Sequence, residues 1–397
     1  MSTYVDPTAA AVEHCESMAQ QHPNQAETWN AIGQYCREKL WHQLTLTVLE
    51  FMNATNDDGT TQNGSHFGPL YHTVIQPIAS KLLPLAVARM AVATAQELAS
   101  HQQDVTAAKA VLENAMETYA HDMEAKIYLE SKHSMLALSL YLQQPNFTLA
   151  NCNDEAKTML ATIIERLQTN DGILQELILS ASVDSVVPAA HYQAALGYYK
   201  LIGPARSFYD NALAYTQYAT PDAVLATDIC LAALTADGVY NVTAAIPHVT
   251  LAPEWLQAMV AAVAEGNLDG VEAVQAQAMD QPALVQGAAV VMEKVRLTAL
   301  VQLALRNPRR ALTFEEIQAA VRLPEIELLV MRAFSVGWVK GSIDQVEGVV
   351  QIDYVEPHKS LNKEQRLALA DRFDTWSTSV QSRYTQLKEQ SASSLLA

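Results

Sequence analysis

The 397-residue chain is short of glycine, of positive charge and of every motif that would announce catalysis. Glycine occurs 14 times, about half the average usage of ~7%. With few β-branched runs and much Ala, Leu, Gln and Glu, the composition reads as helix. Lys and Arg number 25 against 43 Asp and Glu, a net charge of −18. Such a balance lacks the clustered bases that hold phosphates, and argues against nucleic acid or an anionic membrane as partner. Four cysteines, Cys15, Cys36, Cys152 and Cys230, form no CxxC pair. Neither a zinc ribbon nor a redox pair is signalled, and buried thiols in a reducing compartment are expected. The greasiest stretch, Leu82 to Ala95, carries Pro84 and Arg89 and is too short for a bilayer. Met1 to Glu13 shows neither a basic nor an apolar leader region, so a cytoplasmic and nuclear protein is expected.

Chemical motifs are equally scarce. GxGxxG and GxSxG do not occur. Gly59 to Ser65 has the glycine spacing of a phosphate loop but lacks its lysine and any preceding strand. The eleven histidines never fall at HxH, HExxH or i,i+4 spacing, so no helix face offers two imidazoles to a metal. His66 and His72 read as flanks of a solvated loop, and His42, beside Trp41, as a packed helix residue. No catalytic, cofactor-binding or metal-binding residue is therefore assigned, and the chain is not read as an enzyme. Charged residues make up only 17%, below the usual ~25%. So little polar cover implies that part of the surface is hidden against partners.

What the chain does have is one helix after another up to about residue 307. Lys39 to Ala54 sets Leu40, Leu44, Val48 and Phe51 on one stripe. Helices are expected over Ile78 to Ser100, Asp122 to Gln144, Asp154 to Thr169 and Val187 to Ile202. More follow over Pro204 to Ala219, Pro221 to Ala236, Pro253 to Glu265 and Pro282 to Arg306. Several open at proline, where the missing N–H costs nothing. Short connections make antiparallel pairs, and a long string of pairs stacks into a solenoid. Asn53 to Gly68 is polar and Gly/Asn-rich and reads as a mobile surface loop.

The pattern changes near Asn307 and Pro308. Thr313 and Glu316 are spaced as a capping box, opening a short helix to about Val321. A second helix, Pro324 to Val336, ends at Gly337, and two strands follow, Trp338 to Ile343 and Val349 to Val355. Helix, turn, helix and β-hairpin is the order of a winged helix. From Ala311 to His358 it holds eight acids and three bases, a net of −5. Glu325 and Glu327 open the helix that would read DNA, so a protein-docking hairpin edge is the better reading. A last helix carries Leu369, Phe373, Trp376, Val380, Tyr384 and Leu387 on one amphipathic stripe. That stripe can fold back on its own domain or enter a bundle with partner helices.

A helical solenoid, a winged helix and a tail helix resemble the layout of PCI-domain proteins. These are scaffold subunits of the proteasome lid, the COP9 signalosome and a translation initiation factor. Lys39 to Leu49 (KLWHQLTLTVL), Leu312 to Ile317 (LTFEEI), Glu327 to Val346 (ELLVMRAFSVGWVKGSIDQV) and Val350 to Pro357 resemble a non-ATPase subunit of the proteasome lid in particular. Tyr240 to Val242 with Pro247 and His248 is a weaker echo. The resemblance implies a mostly α fold: a right-handed, TPR-like solenoid arm over 1–240, a PCI domain over 241–358 and a bundle helix with tail over 359–397. Within the PCI domain, 241–307 would be helical and 308–358 the winged helix. It implies a non-catalytic scaffold supporting lid assembly and ubiquitin-dependent degradation; the alternative is a PCI scaffold of the signalosome or the initiation factor. Carried over by position, the edge facing an adjacent PCI subunit would comprise Trp338, Val339, Lys340, Gly341, Ser342, Ile343, Val349, Val350, Ile352 and Tyr354. The six stripe residues would face the bundle, with a ubiquitin-receptor subunit as a candidate contact.

Overall fold

The computed structural model describes residues 7–54, 63–100, 104–142, 153–180, 183–307, 309–356 and 363–395. Cys152 and the glycine-spaced stretch from Gly59 to Gln62 lie outside the described residues. The chain divides into two compact units, Met1–Pro221 and Asp222–Ala397.

The first unit is a run of helices: α1 (Pro7–Gln21), α2 (Ala26–Glu38), α3 (Trp41–Asn53), α4 (Phe67–Leu70) and α5 (Gln76–Ile78). It continues with α6 (Pro84–Ser100), α7 (Val105–Thr118), α8 (Met123–Leu142), α9 (Asp154–Leu179), α10 (Val186–Ile202) and α11 (Ala205–Tyr215). Each long helix packs chiefly on near neighbours in the chain: α1 on α2, α2 on α3, α6 on α7, α8 on α10, α10 on α11. That is the pattern of a helical-repeat solenoid. The α3 stripe holds, with Leu44, Val48 and Phe51 buried, while Leu40 lies just outside the helix and is exposed. Trp29 is fully buried and meets Phe51 edge-on, ring centroids 5.2 Å apart.

Three expectations change here. The helix expected from Ile78 begins only at Pro84, because proline has no N–H to donate back and its ring crowds the carbonyl four residues earlier. The helix expected to stop at Thr169 runs to Leu179. Asn170 is buried and donates to Glu130 Oε2 at 2.8 Å, and Leu174 is fully buried, so packing overrides the Asn-Asp-Gly stop signal. The expected loop, where it is described from Asn63 to Gly68, packs into the fold. Asn63 is buried, accepts from Gln25 and donates to the Phe51 carbonyl at 3.0 Å; Phe67 is in the core. His66 is half-buried, its ring 4.5 Å from His22, and burial pushes its pKa down. His42 is exposed rather than packed.

The second unit opens with α12 (Ala223–Thr235), α13 (Ile246–Val249), α14 (Glu254–Glu265), α15 (Leu268–Ala278), α16 (Pro282–Gln286) and α17 (Ala288–Arg306). α12, placed in the arm from the sequence, packs against α13, α14, α16 and α17. The single helix expected over Pro282 to Arg306 is interrupted at Gly287. Then come β1 (Ala311–Thr313), α18 (Phe314–Val321), α19 (Ile326–Val336), β2 (Val339–Asp344), β3 (Val349–Val355) and α20 (Lys363–Leu395). The capping box forms in both directions: Glu316 N donates to Thr313 Oγ1 at 3.2 Å, and Thr313 N to Glu316 Oε2 at 3.1 Å. Gly337 ends α19 at φ +84°, a conformation that a Cβ would penalise. Leu297, Leu300 and Val301 of α17 share one core with Leu312, Ile317, Val321, Leu329, Val330, Trp338, Val350 and Ile352. This is a winged helix seated on a helical support.

Candidate protein-docking surfaces

The sheet has the order β1-β3-β2, all antiparallel. Val349, Val350 and Gln351 of β3 pair with Thr313, Leu312 and Ala311 on one side and with β2 on the other. The ladder extends one step further, since Ile352 N donates to the Arg310 carbonyl at 2.8 Å. The reading of both hairpin strands as an open edge is therefore corrected. β3 is the central strand, and β2 is the exposed edge beside it. The three-residue β1 was missed because a run that short shows no alternation.

The ten edge residues divide by side chain. Trp338, Val339, Val350 and Ile352 point into the winged-helix core. Gly341, Ile343 and Val349 are half-buried, while Lys340, Ser342 and Tyr354 are exposed. Lys340 and Tyr354 are cross-strand partners, with the ammonium 5.4 Å from the ring centroid. The register shifts between Lys340 and Gly341, and there a Cβ on Gly341 would run into the Gln351 carbonyl. The irregularity bends the edge strand and requires glycine at that point.

Two of the three bases in this module are engaged by acids outside it. Arg322 pairs with Asp269 and, at 3.4 Å, with Glu272, both on α15; Asp269 first, then Glu272, raises its pKa. Arg332 donates to Glu293 at 2.9 Å and to the Tyr240 hydroxyl at 2.8 Å. At the start of α19, Glu325 is exposed, and Glu327 is half-buried and accepts from Gln345 of the hairpin turn at 3.3 Å. Leu328 and Met331, on the same helix, are 61% and 51% exposed. The helix face that would approach DNA thus presents carboxylates and apolar side chains.

The tail stripe lies open. Leu369, Phe373, Trp376, Val380, Tyr384 and Leu387 are all exposed, Trp376 by 67%. Of the two readings left open by the sequence, folding back on the home domain is not the arrangement seen. Every residue from 369 to 388 is exposed along both faces of α20. An exposed apolar stripe of this length makes α20 a candidate docking surface.

Elsewhere the described residues offer little for chemistry. No group of three or more His, Cys, Asp or Glu among them could hold a metal ion. Cys15, Cys36 and Cys230 are buried free thiols; burial pushes Cys15 up to about 12 and the other two to about 11, far from a reactive thiolate. No helix among the described residues is long and apolar enough to cross a membrane. Two features had no sequence signal. Lys294 of α17 is fully buried, and its ammonium donates to the Ala233 carbonyl at 2.8 Å, capping the end of α12. An apolar cleft of about 400 Å³ opens between α14, α15, α16 and α17, lined by Met259, Val271, Met279, Leu284, Val285 and Met292.

Comparison with known proteins finds two families in succession along the chain. Residues 28–257 match the family described as PSD13 N-terminal repeats, and residues 271–353 match the PCI domain. The chain is 26% identical to the 26S proteasome non-ATPase regulatory subunit 13 homolog A of Arabidopsis thaliana, covering 92% of this chain and 94% of that protein. It is 26% identical to the 26S proteasome non-ATPase regulatory subunit 13 of Dictyostelium discoideum, over 93% and 94% of the two chains. Against the 26S proteasome regulatory subunit RPN9 of Saccharomyces cerevisiae it is 24% identical, over 87% and 88%. With PSD13 repeats over more than half its length and a PCI domain behind them, the chain belongs to the PSD13 family of PCI-domain proteins.

Proposed function

We propose that this protein is a non-catalytic structural subunit of the 26S proteasome regulatory-particle lid, supporting lid assembly and ubiquitin-dependent degradation in cytoplasm and nucleus. The observation that carries the reading is α20: a stripe of six exposed apolar side chains on a chain whose near-full-length relatives are named as 26S proteasome regulatory subunits. In this reading α20 enters a helical bundle. The β2 edge, with Lys340, Gly341, Ser342 and Ile343, joins an adjacent PCI subunit by strand pairing or side-chain contact. The helical arm, 1–240, reaches neighbouring subunits, a ubiquitin receptor being one candidate; the PCI domain, 241–358, and the tail, 359–397, hold the complex together. Buried thiols and engaged arginines fit a scaffold better than an active site.

The test is affinity purification of the tagged chain from its own organism at moderate salt, read by quantitative mass spectrometry. Recovery of proteasome regulatory subunits and the ATPase ring at equal stoichiometry is expected. Recovery of signalosome or initiation-factor subunits instead, or of the chain alone, overturns the assignment.

A further inference from the structure

The apolar stripe of α20 is bordered by charge of one sign. At 100° per residue, Arg366, Arg372 and Arg383 project within about 80° of the centre of the stripe, while Asp371 and Asp374 project more than about 120° from it. Arg372 and Arg383 line one border and Arg366 the other, and all three are exposed. The arrangement runs against the chain as a whole, whose net charge is −18. Bases gather at the seam of α20, and its acids turn to the back.

This sidedness selects among occupants. The stripe is narrow, with spacings of four, three, four, four and three residues, which suits a helix-bundle seam better than the broad apolar face of a membrane-surface helix. A second copy of α20 would set arginine against arginine along both borders, so self-pairing is disfavoured. We propose that α20 docks on helices of other subunits whose own apolar seam is flanked by Glu and Asp, and that Arg366, Arg372 and Arg383 select that surface and its register. The inference rests on the reading that α20 enters a bundle, and adds the chemistry of the partner.

The experiment co-expresses the full-length chain with the remaining lid subunits of the same organism and measures its incorporation by native mass spectrometry. Four forms are compared: wild type, R372E/R383E, R372K/R383K and F373A/W376A, each checked by circular dichroism. Two rim attractions turned into repulsions should lower incorporation of R372E/R383E roughly tenfold or more at low salt. The lysine pair should stay within about threefold of wild type, because a rim charge acts mainly as charge. A photo-crosslinker at Ser379, beside that border, should capture a helix carrying carboxylates within one turn of the linked residue. If R372E/R383E assembles like wild type while F373A/W376A fails, the bundle stands and the acidic-partner inference is wrong. If wild type itself does not incorporate, the bundle reading fails first. Binding of the full-length wild-type chain, but not R372E/R383E, to phosphatidylserine vesicles would assign the rim to a membrane and overturn the proposal.

Discussion

Truncating the two aromatic residues of α20 separates a docking role from a folding role. Phe373 is 60% exposed and Trp376 is 67% exposed. Large aromatic side chains carry roughly 150–250 Å² each, so the pair offers on the order of 290 Å² of uncovered surface. At ~25 cal/mol per Å², complete coverage by a partner contributes about 7 kcal/mol, and half coverage about 3.5 kcal/mol. The double variant F373A/W376A should therefore weaken the complex by roughly 300-fold, taking the half-covered case. In the free chain the same change should be nearly neutral, within about 0.5 kcal/mol, because neither ring is buried at home. Alanine is also the better helix former, so helix content should hold or rise slightly. Competition between tagged wild type and variant for lid incorporation measures the first effect. Urea unfolding followed by far-ultraviolet circular dichroism measures the second. A variant that unfolds about 2 kcal/mol more easily would show that the stripe packs at home. A variant that competes equally would show that the stripe is not a docking surface.

Three further substitutions probe what holds the second unit together. Burial lowers the Lys294 pKa from 10.5 to about 8, with Asp237 and Glu293 opposing. The folded state then binds fewer protons than the unfolded one between those values, so stability from this group rises with pH across that window. Paired urea titrations of wild type and Lys294→Met at pH 7 and pH 10 should show wild type gaining about 2.5 kcal/mol on the variant, and a pH-independent difference would contradict it. At neutral pH the methionine variant should be at least as stable, since it removes a buried charge while keeping the apolar stem. Gly341→Val should force the edge strand off β3, lowering the melting temperature and increasing hydrogen exchange across Val339 to Asp344, because its Cβ meets the Gln351 carbonyl. Thr313→Ala removes one half of the capping box and should cost about 1 kcal/mol, read as faster exchange at the first amides of α18.

The parts of this molecule legible in the sequence are those whose signals are local. Thr313 and Glu316 cap a helix three residues apart, Gly337 closes the next one, and the hairpin alternates from Val339 onward; each signal acts within one turn or one strand. Where the outcome depended on packing, the pattern failed. The Asn170-Asp171-Gly172 break is overridden by a hydrogen bond to Glu130, forty residues back in the chain. The order of Asn63 to Phe67 depends on Gln25 and the Phe51 carbonyl. Lys294 looks like any helix lysine until α12 is laid against it. β1 exists only because β3 offers it a ladder, and its presence closes β3 and leaves β2 as the open strand of the hairpin. The tail helix is the opposite case. Its stripe is legible because the fold does not use it: six apolar side chains in helical register stay exposed, and the arginines stay beside them. A pattern that strong is maintained against solvent at a cost in solubility, which the proposed burial in a larger assembly would offset. The stripe is thus readable from the sequence for the same reason that its side chains stay exposed at home. On the proposed reading, the chemistry of its occupant follows from the charges along its borders, Arg366, Arg372 and Arg383.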